Sequence, residues 1–170
     1  MERKADVSTD DLEDGWREYV KRLPGKRVGV GCVLGDNQGR IVVVKPTYKQ
    51  GWSIPGGGVD VNESPWQACK RELREELGLE LDPGSFLCLD YLGPRDGFEE
   101  SIQILYDGGE LTPDQLNAVV IPTDELEQWA LVSRGEAEAI LRPELGRRVA
   151  AVQGLLGTGT SIYLEDGKPL

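Results

Sequence analysis

The sequence predicts an α/β protein in which helices cover both faces of a mixed β-sheet. Apolar segments of strand length lie on both sides of one strongly marked helix, and helical periodicity returns near the C-terminus. This arrangement of strands and helices favours a layered α/β/α sandwich. The 170 residues are enough for one domain with a substantial buried core.

The first part of the chain contains one predicted helix and three predicted strands. Apolar side chains recur at helical spacing over residues 10–22, which indicates a short amphipathic helix. Residues 27–34 and 40–45 are apolar runs separated by turn-forming residues, and we expect them to form a hairpin. A short strand at residues 51–54 leads into a glycine-rich turn.

The most strongly marked element is a helix over residues 65–77. Ser64 can cap its start, Pro65 suits the first helical position, and Gln67 can complete a capping box. Gly78 can adopt the left-handed conformation that ends a helix. The apolar face of this helix is expected to comprise Ala68, Cys69, Leu73 and Leu77.

The second half of the chain returns to strands and then to helices. Further strands are expected at residues 86–92, 101–106 and 118–121. Residues 123–125 are expected to open a short helix. A final helical region spans residues 135–156 and is interrupted at Pro143, because proline breaks a helix interior.

Domain boundaries follow from this pattern. We expect an N-terminal helical extension at residues 1–25, the main domain at residues 26–156 and a C-terminal tail at residues 157–170. The helix in the N-terminal extension is expected either to cover the domain or to form part of a homodimer contact.

Composition excludes several classes of function. The formal net charge is −11 and no basic cluster appears, so we expect no nucleic-acid partner. Apolar runs are far shorter than a membrane span, and the first residues lack the apolar core of a signal peptide, which together favour the cytoplasm. The sequence contains no histidine, which excludes histidine-based catalytic triads and metal sites.

One pattern of acidic residues indicates a metal-binding function. It begins with a glycine at 57, a glutamate six positions later and, after seven more residues, an Arg-Glu-Leu-x-Glu-Glu-x-Gly-Leu run. Glu72, Glu75 and Glu76 lie at i, i+3 and i+4 and therefore share one helix face. Like charges at this spacing repel, whereas Mg²⁺ prefers carboxylate and phosphate oxygens. The pattern therefore indicates a magnesium site that can hold a diphosphate.

Residues 57–79 resemble the Nudix box, and every defined position of that 23-residue signature is filled. The resemblance extends to the lead-in at residues 51–56. It implies a Nudix-type α/β/α sandwich with a mixed β-sheet at residues 26–156, and an enzyme that hydrolyses pyrophosphate linkages. The resemblance implies Mg²⁺ as cofactor, with Mn²⁺ as a substitute.

The resemblance also implies roles for individual residues. The metal ligands would be Glu72, Glu75, Glu76 and the backbone carbonyl of Gly57. Arg71 would hold Glu72 by a charge-assisted hydrogen bond. Glu63 would either support the metal ligands from behind or bind the ion through a bridging water.

The acids and arginine assigned to catalysis are Glu76, Glu75, Arg71 and Glu63. The general base is left open between a box glutamate, Glu76, and acids of a later loop, namely Asp96, Glu99 and Glu100. Candidate substrate contacts outside the box are Lys45, Tyr48, Lys49, Trp52, Phe98 and Glu100.

The functional prediction is a Mg²⁺-dependent hydrolase that cleaves the pyrophosphate linkage of a small nucleoside diphosphate derivative. NTPs, ADP-ribose and nucleotide sugars all belong to that class. One alternative is a Nudix-fold sensor that binds a nucleotide without turnover. Another is an interaction protein whose acidic helix meets a basic partner.

Overall fold

A computed structural model describes residues 9–95 and 97–170, with side chains from residue 13 onward. The elements in chain order are α1 (Thr9–Arg22), β1 (Arg27–Gly35), β2 (Ile41–Pro46), α2 (Pro65–Leu77), β3 (Phe86–Leu92), β4 (Ser101–Glu110), α3 (Pro113–Asn117), β5 (Leu126–Val132), α4 (Arg134–Ile140), α5 (Pro143–Val152), a 3₁₀ turn (Gln153–Leu155), β6 (Ile162–Glu165) and β7 (Lys168–Pro169). No helix of the described residues is both long and apolar enough to cross a membrane.

The described strands form one seven-stranded sheet in the order β5-β2-β1-β4-β3-β6-β7. The pairs β1/β4 and β3/β6 are parallel, and the other neighbours are antiparallel. The sheet is therefore mixed, as the sequence predicts.

Helices cover both faces of this sheet. On one face, the apolar side of α2 packs against alternate residues of β1 and β2 around Cys32 and Val42. On the other face, α4 and α5 pack against Ile41, Val43 and Leu87. Alternation along the strands sends neighbouring side chains to opposite cores. The predicted α/β/α sandwich is confirmed.

Helix α2 begins and ends at the predicted residues. The Ser64 hydroxyl accepts a hydrogen bond from the backbone N–H of Gln67, and the Gln67 side chain accepts one from the N–H of Ser64. Gly78 has φ = 69° and ends the helix in the left-handed conformation. Burial of Ala68, Cys69, Leu73 and Leu77 against the sheet fixes the rotation of α2 and with it the direction of its glutamates.

The predictions for residues 118–125 are wrong. Residues 118–121 follow the short helix α3 and form no strand, because Val119 and Ile121 pack against the core from a loop. Residues 123–125 form a turn rather than a helix. The strand in this region is β5, which is specified by antiparallel pairing with β2 from Pro46 to Ile41.

Smaller differences concern three other segments. Residues 51–54 form only isolated bridges, through Ser53 to Val44 and through Trp52 to Leu141. The C-terminal residues contain β6 and β7, and β6 extends the sheet beside β3. The apolar side chains of α1, including Trp16 and Tyr19, are exposed and do not cover the domain.

Candidate active site

A glycine-rich segment pairs with β1 on the side opposite β4 and brings the acidic helix to the sheet. The backbone N–H of Cys32 donates to the carbonyl of Pro55 at 2.8 Å, and that of Val30 donates to the carbonyl of Gly57 at 2.8 Å. A Cβ at Gly56 would collide with the backbone of Val30, and Gly56 has φ = 145°. Only glycine fits this close approach.

Glu76 is buried against this segment, with 6% of its surface exposed. One carboxylate oxygen accepts a hydrogen bond of 2.8 Å from the backbone N–H of Gly56. Burial raises the pKa of Glu76 to about 8, the charge of Glu72 adds to this effect, and the hydrogen bond from Gly56 opposes it. The Gly56 N–H and the charge of Lys49 therefore compensate this buried carboxylate only in part.

Arg71 organises the other acids of the box. Its Nε and Nη2 atoms donate to the two oxygens of Glu63 at 2.9 Å each, and its Nη1 atom donates to Glu72 at 2.7 Å and to Glu75 at 3.1 Å. Nη2 also donates to the carbonyl of Gly58 at 3.0 Å. The predicted pairing of Arg71 with Glu72 is present in the structure.

The donor set fits a divalent metal ion in its chemistry. Glu72, Glu75 and Glu76 offer hard carboxylate oxygens, and burial raises the pKa of Glu72. The carboxylate of Glu72 also occupies the place that a Cβ of Gly57 would fill. Among the residues the structure describes, no three acidic or sulfur side chains already converge as a metal cluster. Arg71 holds two of the three glutamates, and Gly56 holds the third.

The carbonyl of Gly57, an expected ligand, accepts a hydrogen bond from the N–H of Val30. One of its lone pairs is therefore used by β1. Its role as a ligand stays a prediction that depends on the second lone pair.

Replacing Gly57 by alanine tests this close packing. The added Cβ would collide with the end of the Glu72 side chain, which can move, so we expect the fold to be kept. A displacement of about 1 Å at a reacting centre can cost about 100-fold in rate, and we expect a loss of that order in hydrolysis. Steady-state rates and thermal melts check this. The matched control Gly58→Ala, whose Cβ meets no atom within 4 Å, should retain more activity. Equal activities for the two variants would contradict the packing argument.

Glu125 is an acid near the site that the sequence analysis did not single out. Its charge contributes to the raised pKa of both Glu72 and Glu76, so it lies close to them. The N–H of Thr47 donates to its backbone carbonyl at 2.9 Å and fixes the turn. No local pattern identifies Glu125, because only the folding of β5 beside β2 brings it near the box.

A cleft of about 550 Å³ opens beside the glycine segment, on the face of the sheet opposite α2. Its floor contains Gly29 and Gln103, and three candidate substrate contacts, Tyr48, Lys49 and Phe98, line it. The guanidinium of Arg27 lies 5.7 Å from the centre of the Phe98 ring. Burial lowers the pKa of Lys49.

The three other candidate contacts do not line the cleft. Lys45 forms an ion pair with Glu127 on the neighbouring strand. Trp52 packs into the core under α4 and α5. Glu100 forms an ion pair with Lys26 and accepts a hydrogen bond from the Tyr91 hydroxyl, and these contacts lower its pKa. In each case, contacts with other parts of the protein keep the side chain out of the cleft.

The candidate general bases of the later loop also differ in whether they line the cleft. Glu99 lines the cleft, whereas Glu100 is held as described. Asp96 lies outside the described residues. Among the candidates for general base that the structure describes, Glu76 accepts a hydrogen bond from the glycine segment.

Several arginines of the cleft were not predicted as site residues. They are Arg27, Arg95, Arg142 and Arg148. Arg148 carries a signal in the sequence, because it stands three residues after Leu145 and four before Val152, on the apolar face of its helix. The others come from separate loops and strand ends, and nothing local marks them.

Comparison with known protein families agrees with this geometry. The family model described as the NUDIX domain matches residues 25–152, well over half of the chain. The chain belongs to the Nudix family. The glycine segment, α2 and Arg71 with its glutamates are thus the Nudix box in its folded form.

Curated relatives match this Nudix chain over limited segments. An RNA pyrophosphohydrolase of Hydrogenovibrio crunogenus is 45% identical over 56 residues, which are 33% of this chain and 34% of that protein. The mRNA-decapping enzyme subunit 2 of Saccharomyces cerevisiae is 28% identical over 100 residues, which are 59% of this chain and 9% of that protein. The matches span about a third or less of each relative.

Solved structures share the Nudix fold with this chain at low sequence identity. A UDP-X diphosphatase superposes with a TM-score of 0.67 at 13% identity, covering 94% of this chain and 76% of that one. A MutT NUDIX hydrolase from Burkholderia pseudomallei superposes with a TM-score of 0.60 at 23% identity, covering 77% of this chain and 98% of that one. At these identities the likeness shows the fold alone.

Proposed function

We propose that this chain is a Mg²⁺-dependent hydrolase that cleaves the pyrophosphate linkage of a nucleoside diphosphate derivative. The observation that carries the proposal is the folded Nudix box beside a cleft of nucleotide size. Pockets for small ligands and cofactors usually have volumes of about 300 to 1,000 Å³, and this cleft lies within that range.

In this proposal, Glu72, Glu75 and Glu76 would hold the magnesium ion. The ion would neutralise phosphate charge and lower the pKa of a bound water. Arg71 keeps Glu72 and Glu75 on one side of the box through its two hydrogen bonds.

The chain has no histidine, and carboxylates are the titratable groups gathered at the box, so we expect one of them to accept the proton of the attacking water. We assign that role to Glu76. Glu125 is the second candidate, since its charge acts on both Glu72 and Glu76. The water oxygen then bonds to phosphorus as the bridging P–O bond breaks.

Lys49 supports the phosphate-binding part of the proposal. It lines the cleft, and the charges of Glu76 and Glu72 both act on it, so it lies near the acids. Its partly buried cation can pair with a phosphate oxygen of the substrate.

Replacing Lys49 by glutamine should therefore raise KM about tenfold, with a smaller change in kcat. Steady-state kinetics checks this. Lys45→Gln is the matched control, because Lys45 pairs with Glu127 outside the cleft, and it should leave KM within about twofold of the original. If both variants show the same KM, Lys49 is not a phosphate contact.

A substrate panel tests the proposed function. NTPs, ADP-ribose, NADH and nucleotide sugars are incubated with Mg²⁺ or Mn²⁺, and phosphate-containing products are measured. We expect metal-dependent release from at least one compound. A panel without turnover, from protein that binds the metal, would contradict the proposal.

The end of an RNA is a second candidate substrate. Two observations favour it, namely the similarity to RNA pyrophosphohydrolases and the basic residues of the cleft. If it is correct, the expectation of no nucleic-acid partner fails. A 5′-triphosphorylated oligoribonucleotide therefore belongs in the panel beside ATP. Faster release from the oligonucleotide would favour RNA, and faster release from ATP would favour the free nucleotide.

The non-catalytic sensor remains the alternative class. It predicts nucleotide binding by calorimetry with no products formed. The retention of all the box carboxylates favours the enzyme, because a binding module has no need of them.

A further inference from the structure

The donor group of Arg148 is buried at the end of the cleft that lies over β3. Arg148 is 4% exposed and lines the cleft. Its Nε atom donates to Asp90 at 2.6 Å, whereas its Nη2 atom is buried without a hydrogen-bond partner among the described residues. A buried guanidinium nitrogen without an acceptor is unfavourable, so an oxygen from outside the described side chains, of a ligand or of a water that a ligand displaces, would satisfy it.

This end of the cleft is distant from the Nudix box. Gly58 pairs with Gly29, Gly29 with Gln103 and Gln103 with Asp90, so these four residues form a row across the sheet. Three strand spacings separate Gly58 from Asp90, which is about 14 Å. A single diphosphate held at the box cannot reach both ends of that row.

The charge of the cleft favours an anion. Five basic residues line it, against two acidic ones, Glu99 and Glu144. Arg148 and Arg95 are paired with Asp90 and Asp166. In the part of the chain that the structure describes, the other three basic residues form no ion pair; they are Arg27, Lys49 and Arg142.

Arg95 lies at the same end as Arg148. Its partner Asp166 precedes Gly167, whose backbone N–H donates to Asp90 at 3.0 Å. Both arginines therefore border the Asp90 end of the cleft, and together they offer several N–H donors to one tetrahedral anion.

We infer that Arg148 and Arg95 form a subsite for a second phosphate of the substrate, one nucleoside away from the diphosphate that is cleaved. This inference rests on the proposed function, since it places the cleaved diphosphate at the Nudix box. It narrows the substrate class to nucleotides with a further phosphate, either a monoester on the sugar or the next diester of a nucleotide chain.

Binding of nucleotides that contain no diphosphate tests the subsite apart from catalysis. The probes are AMP, adenosine 3′,5′-bisphosphate and the dinucleotide pApA, titrated by calorimetry in the presence of Mg²⁺. We expect the bisphosphate or pApA to bind about tenfold more tightly than AMP, because an added charge-assisted contact is of that size. Preference for the bisphosphate indicates a monoester, and preference for pApA indicates a diester.

Variants of Arg148 and Arg95 test whether these residues bind the second phosphate. Arg148→Lys keeps a cation beside Asp90 but removes the additional donors. Arg95→Gln changes a side chain that is 31% exposed, so we expect a smaller effect on the fold. Each should bring the affinity ratio close to one. Arg134→Gln, an exposed arginine on α4 outside the cleft, should leave the ratio unchanged. If Arg148→Lys does not fold, Arg95→Gln still gives the answer.

The inference is overturned if the original protein binds AMP as tightly as both larger probes, or if Arg95→Gln and any folded Arg148→Lys keep the full preference. These outcomes do not depend on hydrolysis. A failed substrate panel with a preserved preference would therefore remove the proposed enzyme activity and leave the subsite in place.

Discussion

Glu76→Gln is expected to lower the rate of hydrolysis by about 10²- to 10⁴-fold, the range assigned to a catalytic acid or base. The variant loses the negative charge that the proposed metal and proton-transfer roles require. Glutamine has nearly the same shape, and its side-chain oxygen can still accept the hydrogen bond from Gly56.

The same substitution should leave the fold intact. Burial of the charged carboxylate is unfavourable, as the raised pKa of Glu76 shows, so a neutral amide should be at least as stable there. Thermal melts in the absence of metal check this. Glu80→Gln, just beyond the end of α2 and exposed, is the control and should retain its rate. Full activity in Glu76→Gln would show that the role of Glu76 is assigned wrongly.

Asp90→Ala is expected to cost about 3 to 5 kcal/mol of folding free energy. Asp90 is fully buried, and its carboxylate accepts hydrogen bonds from Arg148 and from the backbone of Gly167. Its removal leaves the guanidinium of Arg148 buried without its partner and releases the turn between β6 and β7.

Urea or thermal unfolding measures this loss. The control is Asp82→Ala, which breaks an exposed ion pair with Lys70 and should cost less than about 1 kcal/mol. A loss below about 1 kcal/mol in Asp90→Ala would mean that the buried pair contributes little to the fold.

The sequence predicts the helix of the Nudix box nearly to the residue because its signals are local. Ser64, Pro65 and Gln67 determine where α2 begins, and Gly78 determines where it ends. The spacing of the glutamates along one helix then predicts that they share a face. In this part of the chain, the helix-capping residues and the helical spacing favour the same conformation as the tertiary structure.

Other elements depend on contacts that a single sequence does not display. Residues 118–121 are apolar, as a strand would be, but they serve as a packed loop, while β5 forms because β2 offers it a partner. Residues 162–165 gave no clear signal and become a strand beside β3. Pairing across the sheet overrides local propensity in both cases.

The candidate site also combines residues that local sequence predicts with residues that meet only in the folded chain. The box acids and Arg71 come from one loop and one helix, so their grouping could be predicted. The cleft combines β1, the loop before β4 and α5, and its arginines meet only in the folded chain. Lys45 and Glu100 were plausible from their position but have ion-pair partners of their own.

Titration of the metal-free protein with Mn²⁺ and Mg²⁺ is the most direct test of the claim that the box glutamates gather around a divalent ion. We predict binding at or below millimolar ion, with a rise in melting temperature that follows from preferential binding to the folded state. The double variant Glu72→Gln/Glu76→Gln should lose both effects while remaining folded. Absence of bound ion and of any thermal shift in the original protein, even at millimolar concentrations, would contradict the account.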